Sequence, residues 1–398
     1  MKHCILCRKQ IPAKPIFKLE NAPASAQDIP DKEGKKKDKG MELRLYQCSH
    51  CGLVQFDCEP VSYYRDVIRA GGFSTTMTEL RRGQYQHLID TYHLEGRRFL
   101  EVGCGRGEFL GVLKEFPVMV YGMEHNQKLA EEARKAGLLV WEEFPERPKQ
   151  AFGRSGMFAG DIPESFDVFL SFNFLEHQPE PDVMLQAIRN NLSEDGMGLV
   201  TVPALEYILE QGSYYELLRD HIAYYSFGTL KNLMERNGFT VLEERIINRD
   251  TIEAVVRKNS QWKEGTEEFS EKMVSMDSVT EGYKVTSREV EELLDSLEKE
   301  EKSLAVWGAS HQGFTLAATT RLGRDARYMI DSAPFKQGRY APASHLPIKA
   351  PEHFFEEPVD AVLIVAPGYS DEIAGIIRER FGKGVEILTL RTMHLEKL

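Results

Sequence analysis

At 398 residues the chain is long enough for about two to three domains, each with a core of its own. Its formal net charge of −12 disfavours a broad nucleic-acid-binding surface, although a local basic pocket for a diphosphate is compatible with it. No apolar run approaches the length of a membrane span and the opening MKHCILC has no signal-peptide core, so a cytoplasmic protein without membrane or nucleic-acid partners is expected.

In a reducing compartment, paired CxxC elements read as metal ligands before disulfides. Cys4 and Cys7 form one hook, Cys48 and Cys51 a second, and each is followed by a residue suited to a knuckle turn, Arg8 and Gly52. Four thiolates satisfy tetrahedral Zn2+ and fold a segment too small for its own core, so residues 1–65 are expected to form a structural zinc module. His50, inside the second hook, is a bystander. The polar run GKKKDKG at 34–40 reads as a solvated loop, and the lack of a recognition-helix pattern argues against nucleic-acid reading. Cys104, in a glycine-rich turn, reads as a small packing residue.

Residues 66–93 read as a loop with Gly71-Gly72, placed to cover a site, and then a helix entering a core domain assigned to 66–260. That domain is organised around FLEVGCGRGEFL, Phe99 to Leu110, where an apolar run breaks into a turn with Gly103, Gly105 and Gly107 and continues at helical spacing. Glycines permit positive φ and bring a ligand close to bare backbone at the carboxyl end of a parallel strand. A second apolar strand ends at Glu124, where a carboxylate can hold two ribose hydroxyls. Glu101 lies inside the first strand; a carboxylate there repels a pyrophosphate but suits the ammonium or sulfonium side of S-adenosylmethionine. The ExGxGxG pattern resembles motif I of class I S-adenosylmethionine-dependent methyltransferases. Residues 165–185, SFDVFLSFNFLEHQPEPDVML, resemble the fourth strand and following loop of that family, with Asn173 at the strand end. The end of the third strand, Glu142 to Phe144, is where adenine would stack.

The next elements are a helix from Asp182 to Leu192, a turn at Ser193 to Gly196, and a strand stopping at Pro203. An insertion at 204–230 carries more tyrosine and charge than packing requires. Helix, turn at Asn237-Gly238 and two edge strands complete the core, and a charged helical linker is assigned to 261–302. The last unit, 303–398, opens with a strand, a glycine turn from Gly308 to Gly313 and a helix, with further strands at YMID, DAVLIVAP and VEILTL. The fold class is therefore α/β throughout: a zinc module, a Rossmann-like core and a second, smaller α/β domain. Without a following Lys-Ser/Thr the last turn is no P-loop.

This arrangement resembles, over nearly the whole chain, the zinc-containing sugar C-methyltransferases that act on nucleotide-linked deoxyketosugars. VWGASHQG at 306–313 and the DxxPxKQG element at Asp331, Pro334, Lys336, Gln337 and Gly338 carry the resemblance most specifically, with CGLVQ at 51–55. It implies an active site around a histidine after the fourth strand, matched by His177, and an HEH-like element, matched by Arg219-Asp220-His221. Leu218 stands where a tyrosine is usual, and GGFSTTMT at 71–78 where that family has a tyrosine-containing loop.

Methylating a carbon beside a ketone needs a base for the α-proton, a donor to the enolate oxygen, and the methyl donor in line. His221 is the candidate base, oriented by Asp220; His177 is the candidate enolate stabiliser and Tyr224 a hydrogen-bond donor. The expected acceptor is a small molecule, a nucleotide-linked ketosugar. O- or N-methylation of a related small metabolite, and a catalytically silent protein on the same cofactor fold, are the alternatives.

Overall fold

The computed structural model describes residues 3–66, 75–154, 162–263, 273–382 and 384–398. Gly71-Gly72 and the first half of the 71–78 segment, residues 71–74, lie outside the described residues. At the amino terminus β1 (Phe17–Ala22), β2 (Met41–Gln47) and β3 (Val54–Phe56) pair antiparallel. Phe17, Leu19, Leu43 and Leu45 alternate onto one buried face, as a half-buried sheet requires. The 34–40 run is not a solvated loop throughout. Asp38 accepts from the Ala343 amide at 2.6 Å and from His345 Nε2 at 2.8 Å, and Lys35 lies 4.4 Å from the centre of the Tyr340 ring, so the run docks on the carboxyl-terminal domain.

The core comprises α1 (Thr75–Tyr92), β4 (Arg98–Val102), α2 (Glu108–Leu113), β5 (Met119–Glu124), α3 (Gln127–Lys135), β6 (Val140–Glu142), β7 (Phe166–Phe172), α4 (Pro181–Asn190) and β8 (Leu192–Pro203). It continues with α5 (Leu205–Gln211), β9 (Ala223–Tyr224), α6 (Phe227–Arg236), β10 (Phe239–Ile247) and β11 (Thr251–Lys258). The seven-stranded sheet has the order β10-β11-β8-β7-β4-β5-β6, parallel from β8 to β6. The chain reverses direction across the sheet between β4 and β7, the crevice where open α/β sheets bind ligands.

Two expectations change here. The predicted turn at Ser193 to Gly196 is a bulge within β8, across which the pairing slips from Phe166↔Leu192 to Val168↔Met197. Of the two predicted edge strands, β10 alone lies at an edge: β11 pairs antiparallel with β10 and β8, and Ile252, Ala254, Val255 and Val256 are buried on both of its faces. The insertion also adds β9 to the amino-terminal sheet, where Val54 pairs with Tyr224 and Gln55 with Ala223. Module and core therefore share one sheet.

The carboxyl-terminal part comprises α7 (Asp277–Lys299), β12 (Leu304–Trp307), α8 (His311–Thr319), α9 (Leu322–Asp325), β13 (Met329–Ile330), β14 (Ile348–Lys349), β15 (Ala361–Ile364), α10 (Ser370–Arg380), β16 (Glu386–Leu390) and β17 (Leu395–Lys397). The sheet order β14-β13-β12-β15-β16-β17, antiparallel only at β17, is that of a doubly wound fold. The predicted linker is no free spacer. Val279, Val290, Leu294 and Leu297 of α7 are buried in one cluster with Leu205 and Ile208 of α5 and Leu304 of β12. No helix among the described residues is long and apolar enough to cross a membrane.

Candidate active site

The glycine turn is built as its composition dictates. Gly103, Gly105 and Gly107 have φ of 75°, 60° and 79°, and a Cβ on Gly107 would meet Leu138 Cδ1 at 2.3 Å. The amides of Gly103 and Cys104 bond the Met123 carbonyl, at 2.9 and 3.0 Å, which hangs the turn from the end of β5. Glu124 is buried, and its oxygens accept from the Gly105 and Asn126 amides, each at 2.8 Å, so this carboxylate fixes the turn. Glu101 is buried beneath the same turn. Cys104 packs with Leu110, Ala130 and Val140, as a small core residue does.

Phe144 does not offer the expected open platform. Its ring is buried against Tyr64, His125 and Phe174, with the Arg65 guanidinium 5.0 Å from its centre, because the chain leaving β6 turns into the core. Asn173 does take a special position: it sits at φ 47° beyond β7, tied through its amide and side chain to Thr201.

The chain after β7 forms a single turn, Leu175–His177, that meets the insertion through two hydrogen bonds. The Ile222 amide donates to the Glu176 carbonyl at 2.9 Å, and His177 Nδ1 donates to the Asp220 carbonyl at 2.8 Å. A carbonyl only accepts, so Nδ1 carries the proton and Nε2 keeps a lone pair. The His177 and His221 rings meet edge to face at 4.8 Å. Burial pushes the pKa of both imidazoles below the ordinary value; for His221 the neighbouring His177 and His311 push it further down. Both are neutral at physiological pH.

Three expected roles are corrected by this geometry. Neutral His177 presents an acceptor, not a donor, to the site. Asp220 does not orient His221: its carboxylate accepts from the Ala26 amide at 3.0 Å and the Tyr63 hydroxyl at 2.7 Å. Tyr224 is no donor to substrate, because its hydroxyl exchanges hydrogen bonds with the Leu218 amide and carbonyl while its ring packs edge-on against Phe56.

Asn173, Glu176, His177, Asp220 and His221 line one cavity of about 370 Å³, in the size range of small-molecule sites. Its far wall is the carboxyl-terminal domain, through Ser310, His311, Phe335, Lys336 and Tyr369. Lys336 bonds Asp331 at 2.9 Å and the Ala309 carbonyl at 2.8 Å, so the DxxPxKQG element clamps the glycine turn after β12. Glu101, Gly103, Gly105, Gly107, Glu124 and Phe144 do not line this cavity.

Sequence reading missed Glu176 and Tyr63. Glu176 stands directly before His177, in a stretch already singled out, and its carboxyl went unweighed. Tyr63 and Asp220 lie 157 residues apart and left no local signal.

At the amino terminus Cys4, Cys7, Cys48 and Cys51 are buried, with Sγ pairs at 3.5 Å (Cys4 to Cys51) and 3.4 Å (Cys7 to Cys48), and the four donor atoms lie within 4.8 Å of one another. Both knuckles are formed, Arg8 amide to Cys4 carbonyl at 2.9 Å and Gly52 amide to Cys48 carbonyl at 3.0 Å. His50 is exposed.

Comparison with known proteins first assigns the class: residues 77–244 match a family described as a methyltransferase domain. Residues 266–390, which include α7, match the C-methyltransferase C-terminal domain. The two matches follow one another along the chain, a methyltransferase domain and then a C-methyltransferase C-terminal domain. It is 26% identical over 218 residues to the C-methyltransferase NovU of Streptomyces niveus, an alignment covering 50% of each chain, so it spans about half the length of that relative. Among solved structures, the PH0226 protein of Pyrococcus horikoshii shares 14% identity at a TM-score of 0.38, over 50% of this chain and 98% of that one. The magnesium protoporphyrin IX methyltransferase of Synechocystis shares 12% identity at a TM-score of 0.33, over 46% and 80% respectively.

Proposed function

We propose that the chain is an S-adenosylmethionine-dependent C-methyltransferase of a nucleotide-linked ketosugar. The observation that carries this reading is a pair of neutral histidines facing a three-walled cavity beside the crevice of the core sheet. S-Adenosylmethionine supplies a methyl group on a sulfonium. Gly103 to Gly107 fit it as a close backbone cradle, Glu101 as the anionic partner of its cationic end, and Glu124 as the ribose acceptor. His221 takes the α-proton: its imidazole is neutral, so a lone pair is available without prior loss of a proton. Exposed Phe335 and Tyr369 beside Lys336 suit a nucleotide, with aromatic faces for the base and a cation for phosphate.

The four amino-terminal thiols fit one structural Zn2+. Tetrahedral Zn–S bonds of about 2.3 Å place sulfurs about 3.8 Å apart, close to the observed pairs, and four thiolates leave no open position for chemistry.

The test is a panel of nucleotide-linked ketosugars with labelled S-adenosylmethionine, with product NMR locating the methyl. A new carbon–carbon bond beside the ketone is expected. A methyl on oxygen or nitrogen, or no transfer across the panel, rejects the reading.

A further inference from the structure

Glu176 lines the cavity and has no part in the chemistry above. It is 1% exposed, its Oε2 has no hydrogen-bond partner among the described residues, and its Oε1 lies 3.9 Å from His177 Nε2, beyond a hydrogen bond. The surrounding titratable groups do not neutralise an anion. His177 and His221 are neutral, Tyr225 is buried with its hydroxyl unpartnered, the Asp220 carboxylate points to Tyr63, and across the cavity Glu216 and His311 pair with each other at 3.2 Å. Desolvation outweighs the one backbone hydrogen bond the carboxyl receives, from its own amide, so the group keeps its proton. Burial accordingly pushes its pKa up to about 8.

We propose that Glu176, held protonated by its enclosure, is the hydrogen-bond donor that stabilises the enolate oxygen of the acceptor, the role its neighbour His177 cannot fill. This rests on the C-methyltransferase reading above. In the step, the α-carbon–hydrogen bond breaks, its proton goes to the neutral nitrogen of His221, and its electron pair enters the enolate. The oxygen gains charge opposite the Glu176 O–H, which donates without transferring its proton. The carbon then forms its bond to the methyl group as the sulfur–methyl bond breaks, and the carbonyl re-forms.

A divalent cation held by Glu176, His177 and His221 is the competing account of an orphaned carboxyl beside two imidazoles. The spacing favours the proton: two donors on one tetrahedral zinc lie about 3.3 Å apart, shorter than the 3.9 Å between Glu176 and His177.

The first test needs no acceptor, so its failure is separable from failure of the reading itself. The infrared difference spectrum of wild type minus Glu176→Gln at neutral pH should show the carbonyl stretch of a protonated carboxyl, fading as pH rises through about 8. A carboxylate band in its place overturns the proposal, as does a second zinc per wild-type chain that Glu176→Gln loses. With an acceptor from the panel, Glu176→Ala should lower kcat about 100- to 1,000-fold with S-adenosylmethionine affinity intact. Glu176→Gln, which keeps a donor, should lose much less and should lose the alkaline limb of the kcat profile. Equal losses in both variants refute a donor role. A protonated-carboxyl band in a protein that methylates none of the panel supports the enclosure of Glu176 and refutes the ketosugar reading.

Discussion

Replacing Gly282 by alanine tests whether α7 is docked, because the two answers have opposite signs. In an exposed helix interior the change should stabilise by about 1 kcal/mol, since alanine loses less backbone entropy. In this structure Gly282 is buried against α5, and a Cβ there would sit 1.8 Å from the Gly212 carbonyl oxygen and 2.8 Å from its carbon. The obstacle is backbone, and Gly212 is itself held at φ 60° as the end of α5, so it cannot swing aside as a side chain would. Overpacking of this kind costs about 1–3 kcal/mol, which exceeds the propensity gain or cancels it at the low end. Thermal denaturation of the full chain should therefore show a lower midpoint, by about 2–4 °C for each kcal/mol of net loss in a unit of this size. A midpoint raised by the substitution would show that the helix is the free spacer its charge pattern suggested.

Other outcomes follow from the same contacts. Protein purified without chelator should contain one zinc per chain, and stripping it should unfold the amino-terminal sheet and open the cavity with it, because β3 of that sheet carries β9 of the insertion; zinc-free protein of unchanged stability contradicts this. His221→Ala should lower turnover about 100- to 10,000-fold while S-adenosylmethionine binding by calorimetry stays unchanged; near-normal turnover removes His221 as the base. Tyr63→Phe deletes a donor to a buried carboxylate and should cost about 1.5–3 kcal/mol in a denaturant titration; a smaller loss means the pair is not coupled.

What could be read in the sequence were the features whose physics is local. A turn needing positive φ three times in five residues requires glycine, so the cofactor strand, turn and helix were visible in FLEVGCGRGEFL. The CxxC hooks with Arg8 and Gly52 were visible for the same reason. Burial on two sides is not local: TIEAVVRK reads as an edge strand or an inner one depending on what covers it, and β11 proved to be inner. The charged sequence of α7 hid a buried stripe whose partners lie in α5 and β12. Within the site, residue type gave the histidines but not the direction of their neighbours. Asp220 was placed beside His221 by adjacency, whereas its carboxylate is claimed by Tyr63 and the Ala26 amide.

The protonation of Glu176 has a consequence for stability that requires neither cofactor nor acceptor. Its pKa is raised from an unfolded value near 4.3 to about 8, so between those limits the folded chain holds a proton that the unfolded chain releases. The sign is opposite to that of a paired carboxylate: the contribution is full below the unfolded pKa and is lost as pH rises through the folded one. Within that window one extra proton on the folded state gives a slope of about −1.4 kcal/mol per pH unit, or about 2–3 kcal/mol between pH 5.5 and 7.5. His177 and His221 act the other way, since their depressed pKa values give stability that is present above about pH 6.5 and lost on acidification. Comparing wild type with Glu176→Gln isolates the carboxyl, because both proteins carry the imidazoles and glutamine mimics the protonated acid in shape and charge. The stability of the glutamine variant relative to wild type, from denaturant titrations across this range, should rise steadily with pH. A flat difference across this range means that Glu176 is ionised in the fold as it is in the unfolded chain, and refutes the protonated carboxyl.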